Sequence, residues 1–438
     1  MNLAPRLYPP LGGGQRVSSV SACYTRAVQA RDSALKINPN VELIFLRDAG
    51  PITAVTVRAP VKGHGLRITR IERAVEPEVF GALLVHAVTR GALGPASDLT
   101  TAERDRLADI GFLVPDEQVS SPVWFSCDVT DPPCDFIPSR ARRPSARVDQ
   151  LPDLVTTPTL RHLGPVSAPT DARAWMTPHR FRQDRSWVAI EDAATSATCV
   201  YSYPSESHGD LSGLVPGMPP PETLTRDVRQ HLFEAGIIES PVEAARQRDA
   251  RVLQIATTGQ AFREQRYVVV PHIMAPLQLA AVRRYYRALI AEGFLPFGDK
   301  EWPDRYFSYR DPVGCFFQHE LANVVSEIAG ERVKASFSFF ASYHRGSMLP
   351  PHRDREQCEY SISILLDHSP EPEDLSPWPI YLQPPGAQAA LPVSIGAGDA
   401  VLYRGREVLH YRDRLTDAEY CSFWFFFYVP ESFSGSLD

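Results

Sequence analysis

The strongest constraint on the fold is a series of short, apolar segments in the C-terminal part of the chain. They are SFSFFASY, YSISILLD, WPIYLQP, AVLYR and CSFWFFFYV, and turns containing Pro or Gly separate them. β-branched and aromatic residues favour strands, and several short strands in succession are typical of an all-β barrel or a double sheet. The last segment is too short to span a membrane and is typical of a buried strand. The sequence therefore predicts a β-rich domain.

The residues before about 250 differ in composition and in the pattern of their apolar segments, and this change near residue 250 predicts a domain boundary. Residues 251–438 open with the strand YVVV and two helices, one ending at Gly293 and one spanning 316–330. Residues 1–250 contain two strand-like runs, VELIFL and ITAVTV, predicted to be a hairpin or two adjacent strands, and amphipathic helices, so a mixed α/β region is expected. Residues 131–174, rich in Pro, Arg and Ser, are predicted to be an exposed linker. The N-terminal region is expected to bind substrate or to mediate dimerisation, and the overall class is α+β.

Two segments in the N-terminal region share a pattern. Both match L-T-x-x-x-R-x-x-L-x-x-x-G, one starting at Leu99 and the other at Leu224. In each, a Thr is positioned to cap the helix N-terminus and a Gly to end it. Two explanations remain open, namely duplication of a small helical unit and the generic sequence of capped amphipathic helices.

Composition excludes several classes of protein. Hydrophobic residues make up 44% of the chain, which excludes a mostly disordered protein. The net charge of −7 gives no basic footprint for nucleic acid, and no apolar stretch is long enough for a membrane helix. The 7 cysteines form no CxxC pair, and the N-terminus lacks the apolar core of a signal peptide. We therefore expect a cytoplasmic protein with reduced thiols that binds neither nucleic acid nor membranes.

A metal site is predicted from His352, Asp354 and His410. In an extended chain, residues i and i+2 point to the same face, so His352 and Asp354 can present an imidazole nitrogen and a carboxylate oxygen to one ion. His410 closes a later strand and is the candidate third ligand. Two His and one carboxylate leave positions open for a bidentate co-substrate and O2, as in non-haem Fe(II) oxygenases.

An HxD pair alone is a weak signal, because the chain contains a second one at His208 and Asp210. That pair lies in a loop with no strand after it, and we interpret it as a turn. The pair at His352 precedes a strand, a Gly-Asp turn, another strand and then His410, which favours metal binding. The alternative is a solvent-facing HRDRE cluster in which Asp354 acts as a cap.

The segments SYHRGSMLPPHRDREQCEYSISILLD and GAGDAVLYRGREVLHYRD resemble the Fe(II)/2-oxoglutarate-dependent dioxygenases. The likeness is closest to the prolyl-hydroxylase-like and phytanoyl-hydroxylase-like branches and covers roughly residues 260–432. It implies a C-terminal double-stranded β-helix of the jelly-roll, cupin-like type with supporting helices. It also implies that His352, Asp354 and His410 bind Fe(II), that 2-oxoglutarate and O2 are co-substrates, and that ascorbate supports activity.

The resemblance further requires a basic anchor for the distal carboxylate of 2-oxoglutarate, because an unpaired buried carboxylate is costly. Many members carry it on the last core strand, but residues 420–430 here include no basic residue. Arg412 is the better candidate because it shares the strand face of His410, and Arg414 is the second. Tyr343 and Ser422 are candidate hydroxyl donors. The alternative role for Arg412 is an ion pair with Asp413, Asp417 or Glu419.

The resulting hypothesis is an oxygenase that hydroxylates an unactivated C–H bond of a peptide, an amino acid or a natural product. The carboxylate of Asp354 occupies the position that a halide takes in halogenating relatives, which favours hydroxylation. Two alternatives remain: a non-catalytic binding or regulatory protein with a β-helix domain, and a cupin-type metal enzyme that does not use 2-oxoglutarate.

Overall fold

The structure is a computed structural model, and it contains two compact units. It describes residues 20–21, 35–47, 50–89, 99–130, 147–151, 153–165, 180–182, 184–204, 211–299, 302–370 and 375–437. The first unit comprises Met1–Val123 and Ala288–Phe297, and the second comprises Trp124–Arg287 and Gly298–Asp438. The chain is mixed α/β, and every pairing between its named strands is antiparallel in the described residues.

The first unit contains a four-stranded sheet and two helices that share a core. Its strands are β1 (Val20–Ser21), β2 (Leu35–Ile37), β3 (Glu42–Arg47), β4 (Ile52–Val61), β5 (Gly65–Glu72) and β6 (Leu113–Pro115), and its helices are α1 (Pro77–Val88) and α2 (Thr101–Asp109). The sheet order is β1-β3-β4-β5, which confirms the predicted hairpin of β3 and β4. Val55, Val57 and Leu83 are fully buried in this core, where they hold α1 against the sheet.

The N-terminal part of the second unit has a similar arrangement. Its strands are β7 (Val155–Thr156), β8 (Arg161–Pro165), β9 (Arg185–Glu191), β10 (Thr198–Pro204) and β11 (Ile238–Glu239), and its helices are α3 (Arg226–Glu234) and α4 (Pro241–Gln265). The sheet order is β10-β9-β8, and β11 pairs with β7. Aromatic side chains fill this core, with Phe125 packed against both Phe181 and Trp187.

The repeated sequence pattern corresponds to a repeated structure. Directly before each of helices α2 and α3 stands a Thr, Thr100 or Thr225, whose hydroxyl accepts from a backbone amide of the first turn. Both end at a Gly with positive φ, Gly111 at 76° and Gly236 at 75°. The strand after each helix, β6 or β11, pairs with a short earlier strand, β2 or β7. The residue directly before that strand, Phe112 or Ile237, accepts through its carbonyl from the amide of Asn38 or Thr157. This agreement goes beyond what a capped helix requires, and it favours duplication.

The C-terminal part of the second unit consists of two antiparallel sheets. Their strands are β12 (Tyr267–Val270), β13 (Arg305–Tyr309), β14 (Val333–His344), β15 (Leu349–His352), β16 (Tyr360–Ser369), β17 (Ile380–Gln383), β18 (Leu391–Val393), β19 (Ala400–Arg404), β20 (Leu409–Arg412) and β21 (Tyr420–Pro430). The sheet orders are β12-β19-β16-β21-β14-β13 and β15-β20-β17-β18. One buried cluster takes residues from both, including Leu382 of the smaller sheet and Phe423 of the larger. The predicted double sheet is therefore present, and its closure as a double-stranded β-helix remains a prediction.

Helices α5 (Pro276–Ala291), α6 (Pro312–Glu320) and α7 (Ala322–Ala329) accompany the larger sheet. Asp367 of β16 is buried, and its carboxylate accepts from Arg283 at 2.8 Å and from Arg287 at 2.6 Å on α5. The single helix predicted over 316–330 is wrong, because two helices lie there. Leu321 ends the first and precedes the second, with ψ of −7° that departs from the helical value.

Several organisational predictions concern residues that the structure describes only in part. Within the predicted linker 131–174, β7 pairs with β11 and β8 pairs with β9, so this part of the linker is folded. Residues 131–146 and 166–174 lie outside the described residues. Residue 250 lies inside helix α4 of the second unit, and the predicted boundary between independently folding domains stays a prediction. Among the described residues, no helix is both long and apolar enough to cross a membrane.

Candidate metal centre

The structure brings His352, Asp354 and His410 together between neighbouring strands of the smaller sheet. His352 ends β15 and is the direct cross-strand partner of His410 on β20. Asp354 follows in the loop, and its Oδ1 lies 3.7 Å from His352 Nε2 and 3.6 Å from His410 Nε2. One ligand atom from each of the three residues lies within 4.8 Å of the other two. The spacing in sequence therefore corresponds to a converging set of donors.

Both imidazoles are oriented by hydrogen bonds on the far side of the ring. His352 Nδ1 lies 2.8 Å from the carbonyl oxygen of Pro350, and His410 Nδ1 lies 3.0 Å from that of Val408. A carbonyl oxygen only accepts, so each Nδ1 carries the proton and donates it. Each Nε2 then carries a lone pair within 4 Å of Asp354 Oδ1, and a hydrogen bond from the other ring nitrogen is what orients metal-binding His in proteins.

Burial also favours the neutral, ligating form of His410. The side chain is 2% exposed, and this burial lowers its pKa, although the nearby Asp354 carboxylate acts in the opposite direction. A neutral imidazole is the form that binds a metal ion. The ring of Tyr403 lies 4.7 Å from that of His410, and burial raises the pKa of this phenol well above its usual value, so Tyr403 stays protonated.

Two residues that the sequence interpretation missed hold Asp354 in place. Ser361 of β16 donates its hydroxyl to Asp354 Oδ2 at 2.6 Å, which leaves Oδ1 toward the two His. The amide of Asp354 donates to the carbonyl of Gly405 at 2.9 Å. A Cβ on Gly405 would collide with the Asp354 carboxylate, the Ser361 hydroxyl and the Cys358 carbonyl. Only glycine therefore fits at position 405 without displacing these atoms. The one sequence feature that could have indicated its role is its position directly after β19.

Arg412 lies on the same face of β20 as His410 and is almost completely buried, with 2% of its surface exposed. Its Nη1 donates to the Trp378 carbonyl at 2.6 Å, and the guanidinium carbon lies 4.2 Å from the centre of the Phe423 ring. Burial lowers the pKa of Arg412 to about 10, so the group remains charged near pH 7. Among the described residues no carboxylate pairs with it, and its Nε has no hydrogen-bond partner. The alternative of an ion pair with Asp413, Asp417 or Glu419 is therefore not observed.

The other predicted anchor residues occupy different places. Tyr343 is buried on the face of the larger sheet that packs against the smaller sheet, and its hydroxyl accepts from Arg305 at 3.4 Å. Its ring lies 5.2 Å from that of Trp378, whose carbonyl accepts from Arg412. Arg414 is not brought to the site, because it follows the end of β20, is exposed and donates to the Gly346 carbonyl. Ser422 is not brought there either. It faces away from the inner core that its neighbour Phe423 joins, and it donates to Ser342 at 2.8 Å.

The residues present fit the group that the sequence predicts. Two neutral imidazole nitrogens and one carboxylate oxygen form the donor set of a facial Fe(II) site. The unpaired cation of Arg412, on the same strand face, fits the free carboxylate of a chelated dicarboxylate. The second HxD pair, His208 and Asp210, lies outside the described residues.

Comparison with solved structures finds 2OG-Fe(II) oxygenases, and each match is weak and partial. An oxidoreductase of that family from Burkholderia pseudomallei is 15% identical, covering 40% of this chain and 89% of that one, with a TM-score of 0.33. A Pseudomonas putida prolyl-4-hydroxylase is 18% identical, and the match covers 40% of this chain and 97% of the hydroxylase, with a TM-score of 0.33. HygX from Streptomyces hygroscopicus is 15% identical, and the match covers 40% of this chain and 88% of HygX, with a TM-score of 0.33. That structure was solved with nickel, 2-oxoglutarate and hygromycin B bound. No family model and no curated protein matches the chain.

Proposed function

We propose that this protein is an Fe(II)- and 2-oxoglutarate-dependent oxygenase that hydroxylates an unactivated C–H bond of a peptide, an amino acid or a natural product. The observation that carries the proposal is the convergence of His352, Asp354 and His410 beside a buried, unpaired Arg412. When bound, Fe(II) and 2-oxoglutarate supply O2-dependent oxidation of a C–H bond, with succinate and CO2 as products.

Each residue has a distinct role in this function. His352 and His410 donate their Nε2 lone pairs, and their Nδ1 hydrogen bonds fix the ring orientation. Asp354 supplies one anionic oxygen, while Ser361 holds the other. Arg412, which is 2% exposed, binds the distal carboxylate of the co-substrate away from solvent, where a charge-assisted pair is strong. Tyr403 keeps its proton and forms part of the wall beside the ligands.

The unpaired guanidinium separates this function from its alternatives. A cupin-type metal enzyme that does not use 2-oxoglutarate needs the three ligands but has no use for Arg412. A non-catalytic binding protein needs neither. Because an isolated buried charge destabilises a fold, its retention favours a ligand that carries the opposite charge. Dependence on O2, stimulation by ascorbate, a cytoplasmic location and the absence of nucleic-acid or membrane partners belong to the same proposal.

The test measures binding and turnover with the full-length protein. Isothermal titration under anaerobic conditions should show one Fe(II) or Co(II) ion bound, followed by one 2-oxoglutarate, and addition of O2 with ascorbate should release succinate. His352→Ala and Asp354→Ala should abolish both metal binding and succinate release. The control His64→Ala changes an exposed turn residue and should behave as the wild type. Unchanged metal binding in either ligand variant would overturn the assignment.

A further inference from the structure

The inner face of the larger sheet carries a continuous set of aromatic side chains next to the candidate metal centre. Directly paired residues of antiparallel strands share a face, so the register identifies its members. Ser361 pairs with Phe427, and Tyr309 pairs with Phe339. Ser361 is the residue that donates to Asp354, so Phe427 lies beside the metal ligands. The aromatic set thus starts at the candidate metal centre.

From Phe427 the rings continue outward in stacked contact. The Phe427 ring lies 4.3 Å from that of Phe337 at an interplanar angle of 30°, and Phe337 lies 5.4 Å from Tyr309 at 28°. Tyr309 also contacts Phe339 at 6.3 Å. We call these four residues, Phe337, Phe339, Phe427 and Tyr309, the aromatic platform.

Only part of the aromatic platform is packed as a core. Phe337 is 6% exposed, whereas Tyr309 is 42% exposed, and Phe339 and Phe427 pack against the inner core but stay partly exposed. A filled sheet interior is close-packed and would bury such large apolar rings. Partly exposed aromatic side chains that border a polar centre are typical of a ligand-binding surface.

A cation lies at the outer end of the aromatic platform. The guanidinium carbon of Arg355 lies 4.5 Å from the centre of the Phe337 ring, and Arg355 Nη2 donates to the Tyr309 hydroxyl at 3.3 Å. In the part of the chain that the structure describes, no carboxylate pairs with Arg355. Asp354 accepts from Ser361, the cross-strand partner of Phe427, and Arg355 packs on Phe337, so the metal ligand and the cation lie at the two ends of the platform.

We propose that the substrate presents a planar aromatic ring to the aromatic platform and an anionic group to Arg355. The proposal rests on the proposed oxygenase function, because it places the substrate beside the candidate metal centre. Stacking on the exposed parts of Tyr309 and Phe427, which Phe337 supports from behind, positions the ring against the metal ligands. The charge of Arg355 orients the ring, so that the end opposite the anionic group faces the site of oxidation. A small aromatic acid and an acidic peptide with an aromatic side chain share this chemistry.

The test compares matched probes by ligand-observed NMR titration of the full-length protein. The probes are 2-naphthoate, its saturated analogue decalin-2-carboxylate and its neutral analogue 2-naphthamide, with a short Asp-Trp-Asp peptide as a second source of the same chemistry. Excess 2-oxoglutarate is present so that no probe carboxylate occupies Arg412. Titrations are run with Mn(II), whose paramagnetic broadening reports closeness to the metal centre, and repeated without metal.

We expect 2-naphthoate or the peptide to bind about tenfold more tightly than the saturated analogue, equivalent to about 1.4 kcal/mol. Tyr309→Leu and Phe427→Leu should each weaken binding several-fold, and Arg355→Gln should reduce 2-naphthoate to the affinity of 2-naphthamide. The control Tyr411→Leu removes a stacked ring of equal size, which packs on Tyr381 at 4.8 Å outside the platform, and should change nothing.

The outcomes separate the two proposals. Equal binding of the planar and saturated probes, or equal loss in Tyr411→Leu, would overturn the aromatic assignment even if metal and 2-oxoglutarate bind. Binding that depends on the platform without any metal binding would support the platform and overturn the oxygenase. Tighter binding of 2-naphthoate than of the peptide assigns a small acid, and the reverse order assigns a peptide; both results support the aromatic anionic class.

Discussion

Gly405→Ala is expected to abolish metal binding although Gly405 supplies no ligand atom. The new Cβ would lie 2.5 Å from the carbonyl oxygen of Cys358 and still closer to Asp354 Oδ2 and Ser361 Oγ. Non-bonded heavy atoms separate to about 3.5 Å, so the Asp354 carboxylate must move by about 1 Å. Metal–ligand distances tolerate only about 0.2 Å, so the third ligand is lost.

The magnitude of this effect follows from the kind of contact involved. Displacing groups that only support metal ligands typically lowers affinity 10- to 100-fold, so we expect a loss of at least about 100-fold when the ligand itself moves. The collision should also lower the free energy of unfolding by about 1–3 kcal/mol. The φ of Gly405 lies outside the left-handed region, so an alanine meets no backbone restriction and the effect is steric.

Isothermal titration with Co(II), together with thermal unfolding of the metal-free protein, measures both quantities. The control Gly81→Ala makes the same change in helix α1, where a Cβ would meet no atom within 4 Å. It should stabilise the protein by about 0.5–1 kcal/mol and leave Co(II) affinity unchanged. Wild-type affinity in a folded Gly405→Ala protein would refute the steric support of Asp354.

The remaining predictions concern residues around the same centre. Arg412→Met should weaken 2-oxoglutarate binding about 100-fold or more yet raise the Tm of the free protein by a few degrees, because it removes an unpaired buried charge. Above about pH 10 the folded wild type releases the Arg412 proton before the unfolded chain does, so the wild type regains stability and the Tm advantage of Arg412→Met should shrink. A lower Tm for Arg412→Met than for the wild type at pH 7 would contradict this reasoning. Arg412→Ala should raise the 2-oxoglutarate dissociation constant about 100-fold or more, whereas exposed Arg414→Ala should leave it unchanged, as titration will show. Ser361→Ala should weaken Co(II) binding about 10-fold by freeing Asp354 Oδ2, and equal affinity would show that the hydrogen bond is dispensable.

Local periodicity was sufficient to predict which faces carry the candidate metal ligands and the candidate anchor. His352 and Asp354 lie two residues apart, as do His410 and Arg412, and the period of an extended chain places each pair on one face. The same logic predicted the hairpin of the first unit and the capped helix at Thr100, where a capping box is present. These features depend on neighbouring residues alone, so the sequence carried enough information.

Tertiary structure decided the features that depend on which face is inside and on which distant strands meet. Strand β21 is apolar on both faces, so its sequence could not show that Phe423 points to the core and Ser422 away from it. Arg414 is not brought beside His410 and Arg412, because β20 ends at Arg412 and the chain turns toward Gly346. Gly405 supports Asp354 only because β19 ends beside the loop after β15. Such contacts arise from sheet order, which strand periodicity does not encode.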